Sequence, residues 1–200
     1  MSPKSKKNYE RMRQKRLSSK KRKDQQKKAK TEIPVNQPDD LKEIRFKYPH
    51  LEFLLEMGPL IPAEIHVPKA IADEIIANGG TAPPPVKGSM IIDTGAMVTS
   101  VADHVVKALN LNPTSTVLVH GFHGSQEVFK YFVTVVVVGE NVRFMATGNL
   151  ASCNLRNEMF EYYEKQGISI IGLLGRDFFK DKTLICDFIK NSVTIRYHPK

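Results

Sequence analysis

Several things are scarce in these 200 residues, and each scarcity removes a class of function. Cysteine occurs twice, at Cys153 and Cys186, far apart and with no Cys-x-x-Cys. That gives no disulfide framework, and two reduced thiols in a cytoplasmic protein are expected. Paired metal-ligand motifs are missing, so no zinc site is assigned and no metal or cofactor is expected. No apolar run approaches the ~20 residues of a membrane span, and none is expected. The N-terminus is basic but no apolar stretch follows it, so no secretory leader is expected. Acidic residues are nearly absent from residues 1–30, where 14 Lys and Arg stand against Glu10 and Asp24, a net charge of +12. The rest of the chain has 16 Lys and Arg against 19 Asp and Glu, a net −3. The overall +9 is therefore a basic tail on a mildly acidic body.

Like charges at that density repel and leave nothing to bury, so residues 1–30 are expected to be disordered. Neutralising phosphates of nucleic acid or another polyanion is one use for such a segment; solubilising the body is the plainer one. Aromatic residues that would stack on bases are not interleaved with the charges. Residues 31–40, with Pro34 and Pro38, read as a linker. The chain is thus expected to divide into a basic low-complexity tail and linker, 1–40, and one folded domain, 41–200.

Within the domain the pattern is mostly β. Residues 51–56 and 61–67 read as two strands around the turn Met57-Gly58-Pro59. His66 alternates with Ile65 and Val67 and so is expected to face solvent rather than a metal. Ile71, Ile75 and Ile76 have helical spacing over 69–77, stopped by Asn78-Gly79-Gly80. Pro83-Pro84-Pro85 forces an extended approach to the next strand. Residues 102–109 read as a short helix, 116–120 and 127–138 as strands of a hairpin, and 141–147 as another strand. Residues 155–166 read as a helix with a charged face. The apolar run from Ile168 leads through Gly172 and Gly175 into a short helix, and 183–188 with 193–197 close the chain as a hairpin around Lys190-Asn191. Many short strands with few helices predict a barrel-like domain.

One stretch stands apart. Met90-Ile91-Ile92 reads as a buried strand, ends in Asp93-Thr94-Gly95-Ala96, and resumes as the β-branched run Val98 to Val101. A carboxylate at the end of a buried strand is costly unless something uses it. Thr94 can hydrogen-bond from a tight turn, and Gly95 lets a backbone approach closely. Asp-Thr-Gly alone is a weak signal. Here four further features accompany it in order: a buried strand before it, a small residue and apolar strand after it, a glycine-tipped hairpin (Gly121, Phe122, His123, Gly124) about thirty residues on, and Leu173-Leu174-Gly175-Arg176-Asp177 near the end.

Over about Phe53 to Tyr197 this arrangement resembles the retropepsin-type aspartic proteases, single-domain enzymes that include the retroviral proteases. Insertions fall near Asn78–Pro85 and 155–166, and the basic tail lies outside the likeness. The resemblance implies a closed retropepsin-like β-barrel with short helices. It also implies hydrolysis of a polypeptide substrate by a water held between two aspartates, with no metal and no covalent intermediate. There is only one Asp-Thr-Gly, so the second aspartate would be Asp93 of another copy in a homodimer. Thr94 would bond across the dimer, Gly95 would accept hydrogen bonds from substrate backbone, and the Gly121–Gly124 flap would close over the substrate. Joined terminal strands, here 193–197, would supply the interface.

Two departures stand beside the likeness. Retroviral members place an aspartate four residues after the catalytic one, paired with the arginine of Gly-Arg-Asp/Asn; Met97 occupies that position, so Arg176 needs another partner, with Asp103 and Asp177 as candidates. The flap carries Phe122 and His123 where smaller residues are frequent. Two other functions also fit the sequence: a retropepsin-like fold used for dimerisation or peptide binding with little turnover, and a body accessory to nucleic-acid binding by the tail.

Overall fold

The computed structural model describes residues 42–121, 124–154 and 158–197. The basic tail, the flap-tip residues Phe122 and His123, and the start of the 155–166 stretch lie outside the described residues.

The first strand, β1 (Lys42–Lys47), went unread in the sequence because four of its six residues are charged. Its alternation still works: Ile44 is buried and Phe46 half-buried, while Glu43 and Arg45 lie on the other face. Helix α1 (Leu51–Met57) corrects the expected first strand. Leu54 and Met57, three apart, are its buried residues, and the His50 ring accepts the Phe53 N–H at 3.1 Å as an N-cap. Leucine, glutamate and methionine are good helix formers, so capping and spacing outweigh a β-like reading. Strand β2 (Leu60–His66) follows Gly58 and Pro59, and α2 (Lys69–Ala77) ends at Asn78 as its spacing predicts. Then come β3 (Val86–Ile92), β4 (Ser100–Ala102), α3 (Asp103–Ala108), β5 (Ser115–Gly121), β6 (Gly124–Val138), β7 (Arg143–Cys153), α4 (Glu158–Lys165) and β8 (Ile170–Leu174). A 3-10 turn (Arg176–Phe179), β9 (Lys182–Asp187) and β10 (Ser192–Tyr197) complete the described chain. Several strand bounds differ from expectation. Strand β7 extends past 147 to Cys153, and β4 (Ser100–Ala102) keeps only Ser100 and Val101 of the expected run because Val98 and Thr99 belong to the preceding loop.

The strands run β2–β3–β8–β4–β7–β6 and close by pairing β2 with β6, a six-stranded barrel with β5 hanging from β6. Closure removes free edges that would otherwise invite aggregation. Ile61, Ile65, Met90, Val101, Val133, Val135, Val137 and Ile171 fill the interior and are essentially fully buried. Each such side chain contributes roughly 1.5–3 kcal/mol. A separate sheet, β1–β10–β9, packs Ile44, Val193 and Ile195 into the same core. Outside the barrel, Met57, Leu60, Phe160, Tyr163 and Ile170 form a smaller apolar cluster that seats α1 and α4, closed by a 2.7 Å hydrogen bond from the Tyr163 hydroxyl to the Met57 carbonyl.

The position of β10 overturns one expectation. It pairs antiparallel with β1 on one side and β9 on the other, so residues 193–197 have no open edge to join a second copy. The reason is the unexpected β1, which fills the edge that the hairpin with β9 leaves open and makes the last strand an inner one.

Candidate active site

The barrel positions Asp93 through one crossing. Strand β8 lies between β3, parallel to it, and β4, antiparallel to it, so the 93–99 loop must pass around the end of β8. The Asp93 N–H donates to the Leu174 carbonyl at 3.0 Å, and the Ile92 N–H donates to the Pro59 carbonyl at 3.0 Å. The N–H groups of Arg176 and Asp177 reach back to the carbonyls of Ala96 and Met97, at 3.0 and 3.3 Å. The approach is close enough that Gly175 is required. A Cβ there would meet the Val98 carbonyl oxygen at 2.5 Å and the Thr99 nitrogen at 2.8 Å, both backbone atoms.

The loop turns on the Asp93 carboxylate itself. Its Oδ1 accepts the Gly95 N–H at 2.9 Å and the Ala96 N–H at 3.1 Å. Among the described residues Oδ2 has no hydrogen-bond partner. One oxygen is therefore held in a fixed direction and the other is left for a molecule from outside. Asp93 is half-buried, while Thr94 and Gly95 are exposed, and no described residue hydrogen-bonds the Thr94 hydroxyl.

Beneath the loop sits a polar lock that the sequence reading assigned only in part. Asp177 Oδ1 accepts from the Thr99 N–H at 2.7 Å, the Thr99 hydroxyl at 2.6 Å and the Phe178 N–H at 2.9 Å. The Thr99 oxygen in turn accepts the Gly175 N–H at 3.1 Å. Thr99 is buried and was missed; its signal was a hydroxyl side chain, beside Ser100, between the apolar Val98 and Val101. Neither suggested partner of Arg176 is realised. Asp177 spends its carboxylate on Thr99, and among the described residues Arg176 makes no ion pair and is exposed. Met97, 69% exposed, leaves the loop without an acid for it.

The structure thus brings Asp93, Thr94, Gly95 and Ala96 together with Leu174, Gly175, Arg176 and Asp177. The β5–β6 hairpin runs to Gly121 and Gly124, which pair with each other; Phe122 and His123 lie outside the described residues. His120 Nδ1 and the Ser125 hydroxyl are 2.6 Å apart and tie the two strands near the tip. His66 lies on the outer barrel wall against Glu64, its Nε2 2.9 Å from Oε2.

Burial pushes the Cys153 thiol up to about 11, against the lowering effect of its Ser100 hydrogen bond, and burial also raises Cys186. A groove of about 840 Å³ runs along β1 and the β6–β7 turn, lined by residues such as Phe46, Tyr48, Pro62 and Val142 rather than by Asp93. No family model and no curated protein matches this chain.

Proposed function

We propose that this chain is one half of a homodimeric aspartic endopeptidase of the retropepsin type. The observation that carries the reading is the Asp93 carboxylate, with Oδ1 fixed by two backbone N–H groups and Oδ2 free at the end of a buried strand. A carboxylate held so that one oxygen is left free suits the handling of a water, and an acid at the end of a buried strand with only Oδ1 satisfied among the described residues is hard to explain by stability alone. Support comes also from the crossing of β8 under the loop and from the glycine-ended β5–β6 hairpin, which in this reading covers a bound peptide.

In this reading two Asp93 carboxylates meet across a two-fold axis and share one proton, because like charges ~3 Å apart do not both ionise. The ionised carboxylate takes a proton from the water as its oxygen attacks the scissile carbonyl. The protonated one donates a hydrogen bond to the carbonyl oxygen, which becomes a hydroxyl of the tetrahedral intermediate. Collapse breaks the C–N bond as a proton passes to the leaving amine. Thr94, unpartnered among the described residues, is available to bond across the axis, and residues 121–124 to exclude bulk water.

The test is cleavage of an unfolded protein pool between pH 3 and 7. Activity should peak below neutral pH, persist with a chelator, fall with pepstatin and vanish in Asp93→Asn. Chelator-sensitive cleavage, or an active Asp93→Asn, would sink the proposal. A folded, dimeric protein without turnover would instead mark the fold as a binding module.

A further inference from the structure

Strand β1 is the outer strand of its sheet, and its free side faces a groove. The Tyr48 N–H donates to the Asn191 carbonyl at 2.8 Å, one step beyond the pair Lys47 and Ser192. Bonded pairs alternate along an antiparallel ladder, so Phe46, Ile44 and Lys42 spend their backbone groups on β10. The N–H and C=O groups of Glu43, Arg45 and Lys47 point the other way, and among the described residues no strand pairs with them. The groove of about 840 Å³ follows β1 from Glu43 to Tyr48, and no residue of β9 or β10 lines it, so it lies on this open side. Leu60 and Pro62 also line it but offer no ladder of their own. Strand β2 pairs with β6 only from Ala63 onward, Pro62 has no N–H, and the Leu60 carbonyl accepts the Tyr48 hydroxyl at 2.7 Å. Phe46, Tyr48, Phe53 and Val142 give the groove an apolar lining, with the Tyr48 and Phe53 rings stacked at 6.0 Å.

We infer that this edge binds an extended segment of another polypeptide, alternating acidic and apolar residues, as an added antiparallel strand. A row of backbone donors and acceptors two residues apart is matched by another extended backbone, which sets the shape of the ligand. Charge sets its sign. Lys42, Arg45 and Lys47 stand on β1, with Arg196 opposite them on β10, against Glu43 and the Glu140 of the lining. Glu43 is already held by Arg45 at 3.2 Å and Arg196 at 2.6 Å, and among the described residues Lys42 and Lys47 pair with no acid. A second copy of β1 would bring the same positive excess to this edge, and residues 1–30, with their net +12, carry the same sign. Cations on an edge strand repel such partners and favour an acidic one. Glu43, Arg45 and Lys47 share one face of β1, while Ile44 and Phe46 share the other. The matching strand therefore sets acids opposite Arg45 and Lys47, and apolar side chains opposite Phe46 in the groove. Asp93 is not in the lining, so this inference stands apart from the peptidase reading.

The test is fluorescence anisotropy of the full chain with a labelled peptide of about eight residues that alternates Glu with Val, within the usual length of a strand. The peptide should bind, and a version with Gln for Glu should bind about tenfold more weakly. Arg45→Pro should abolish binding. It removes the outward N–H and a charge but no bond to β10, and edge strands accept proline. If that variant does not fold, methylated peptides decide with the wild-type chain. Methyl groups on the Glu nitrogens, whose N–H groups face β1 in this pairing, should abolish binding. Methyl groups on the Val nitrogens, which face away, should leave it unchanged. No binding, equal binding of the Gln peptide, or binding that survives methylated Glu nitrogens would overturn the inference. Self-association of the chain that Arg45→Pro removes would assign the edge to a second copy and overturn it as well.

Discussion

Asp93 was legible as a site residue because its cost was legible: an acid closing an apolar run has to be used or compensated. The structure compensates half of it, through Oδ1, and leaves Oδ2 open. Thr99 was not legible in the same way, since its partner lies 78 residues on and only the crossing of β8 brings Asp177 to it. Replacing Asp177 with Ala strips the acceptor from two N–H groups and a hydroxyl. Each orphaned donor costs about 1–3 kcal/mol when buried, and partial access to water should bring the total to about 2 kcal/mol. Urea unfolding should show that loss, with a smaller one for Asp177→Asn, whose Oδ1 still accepts. An Asp177→Ala midpoint equal to wild type would mean the lock does not hold the loop. A second carboxylate governs acid stability. Burial would raise the Glu64 carboxyl, but the His66 hydrogen bond and the charges of Lys87 and Arg143 outweigh it and hold it below the usual range. A depressed folded-state value means the stabilisation is complete above the unfolded value, about 4.3, and is lost as pH falls through the folded one. Stability measured from pH 5 downward should therefore drop more steeply in wild type than in Glu64→Gln; parallel curves would remove Glu64 from the account.

At the scale of elements, most strands were readable as short apolar, β-branched runs bounded by turn residues, as in β6, whose run from Val133 to Val137 is buried throughout. The failures had physical causes. Strand β1 hides its two core residues among charges, and α1 packs five apolar residues into seven, a density at which helix and strand periods look alike. What decided α1 was a histidine cap and a distant helix. Phe160 and Tyr163 of α4, more than a hundred residues on, supply the surface that α1 covers. That long-range dependence is testable. Tyr163→Phe removes only the bond to the Met57 carbonyl and should cost about 1 kcal/mol. Leu54→Ala, beneath α1, should cost about 2–5 kcal/mol through its cavity. Thermal unfolding followed by far-ultraviolet circular dichroism would rank the two; a Tyr163→Phe loss as large as that of Leu54→Ala would mean the hydroxyl holds far more than one hydrogen bond.

For the whole molecule, the sequence offered a closed, mostly β barrel, and the closure of β2 on β6 bears that out. Among the described residues no helix is long and apolar enough to cross a membrane. What no single chain can display is a second carboxylate, and the strongest prediction follows from that. If catalysis needs one Asp93 from each of two copies, the Asp93→Asn chain is a poison rather than a bystander. The substitution keeps the size and the Oδ1 acceptor that orders Gly95 and Ala96, so the variant should fold and pair like wild type. After subunit exchange with a tenfold excess of Asp93→Asn, random re-pairing leaves roughly a tenth of wild-type chains with a wild-type mate. Every other wild-type chain sits in a mixed dimer with one carboxylate and no proton-sharing pair. Cleavage per wild-type chain should fall to about that tenth, whereas dilution with the same amount of inert protein should leave it unchanged. Exchange is checked independently by mass spectrometry of isotopically labelled chains. Full activity after verified exchange would show that one Asp93 suffices or works with another acid of its own chain, and the two-chain mechanism would then be wrong even though the barrel stands.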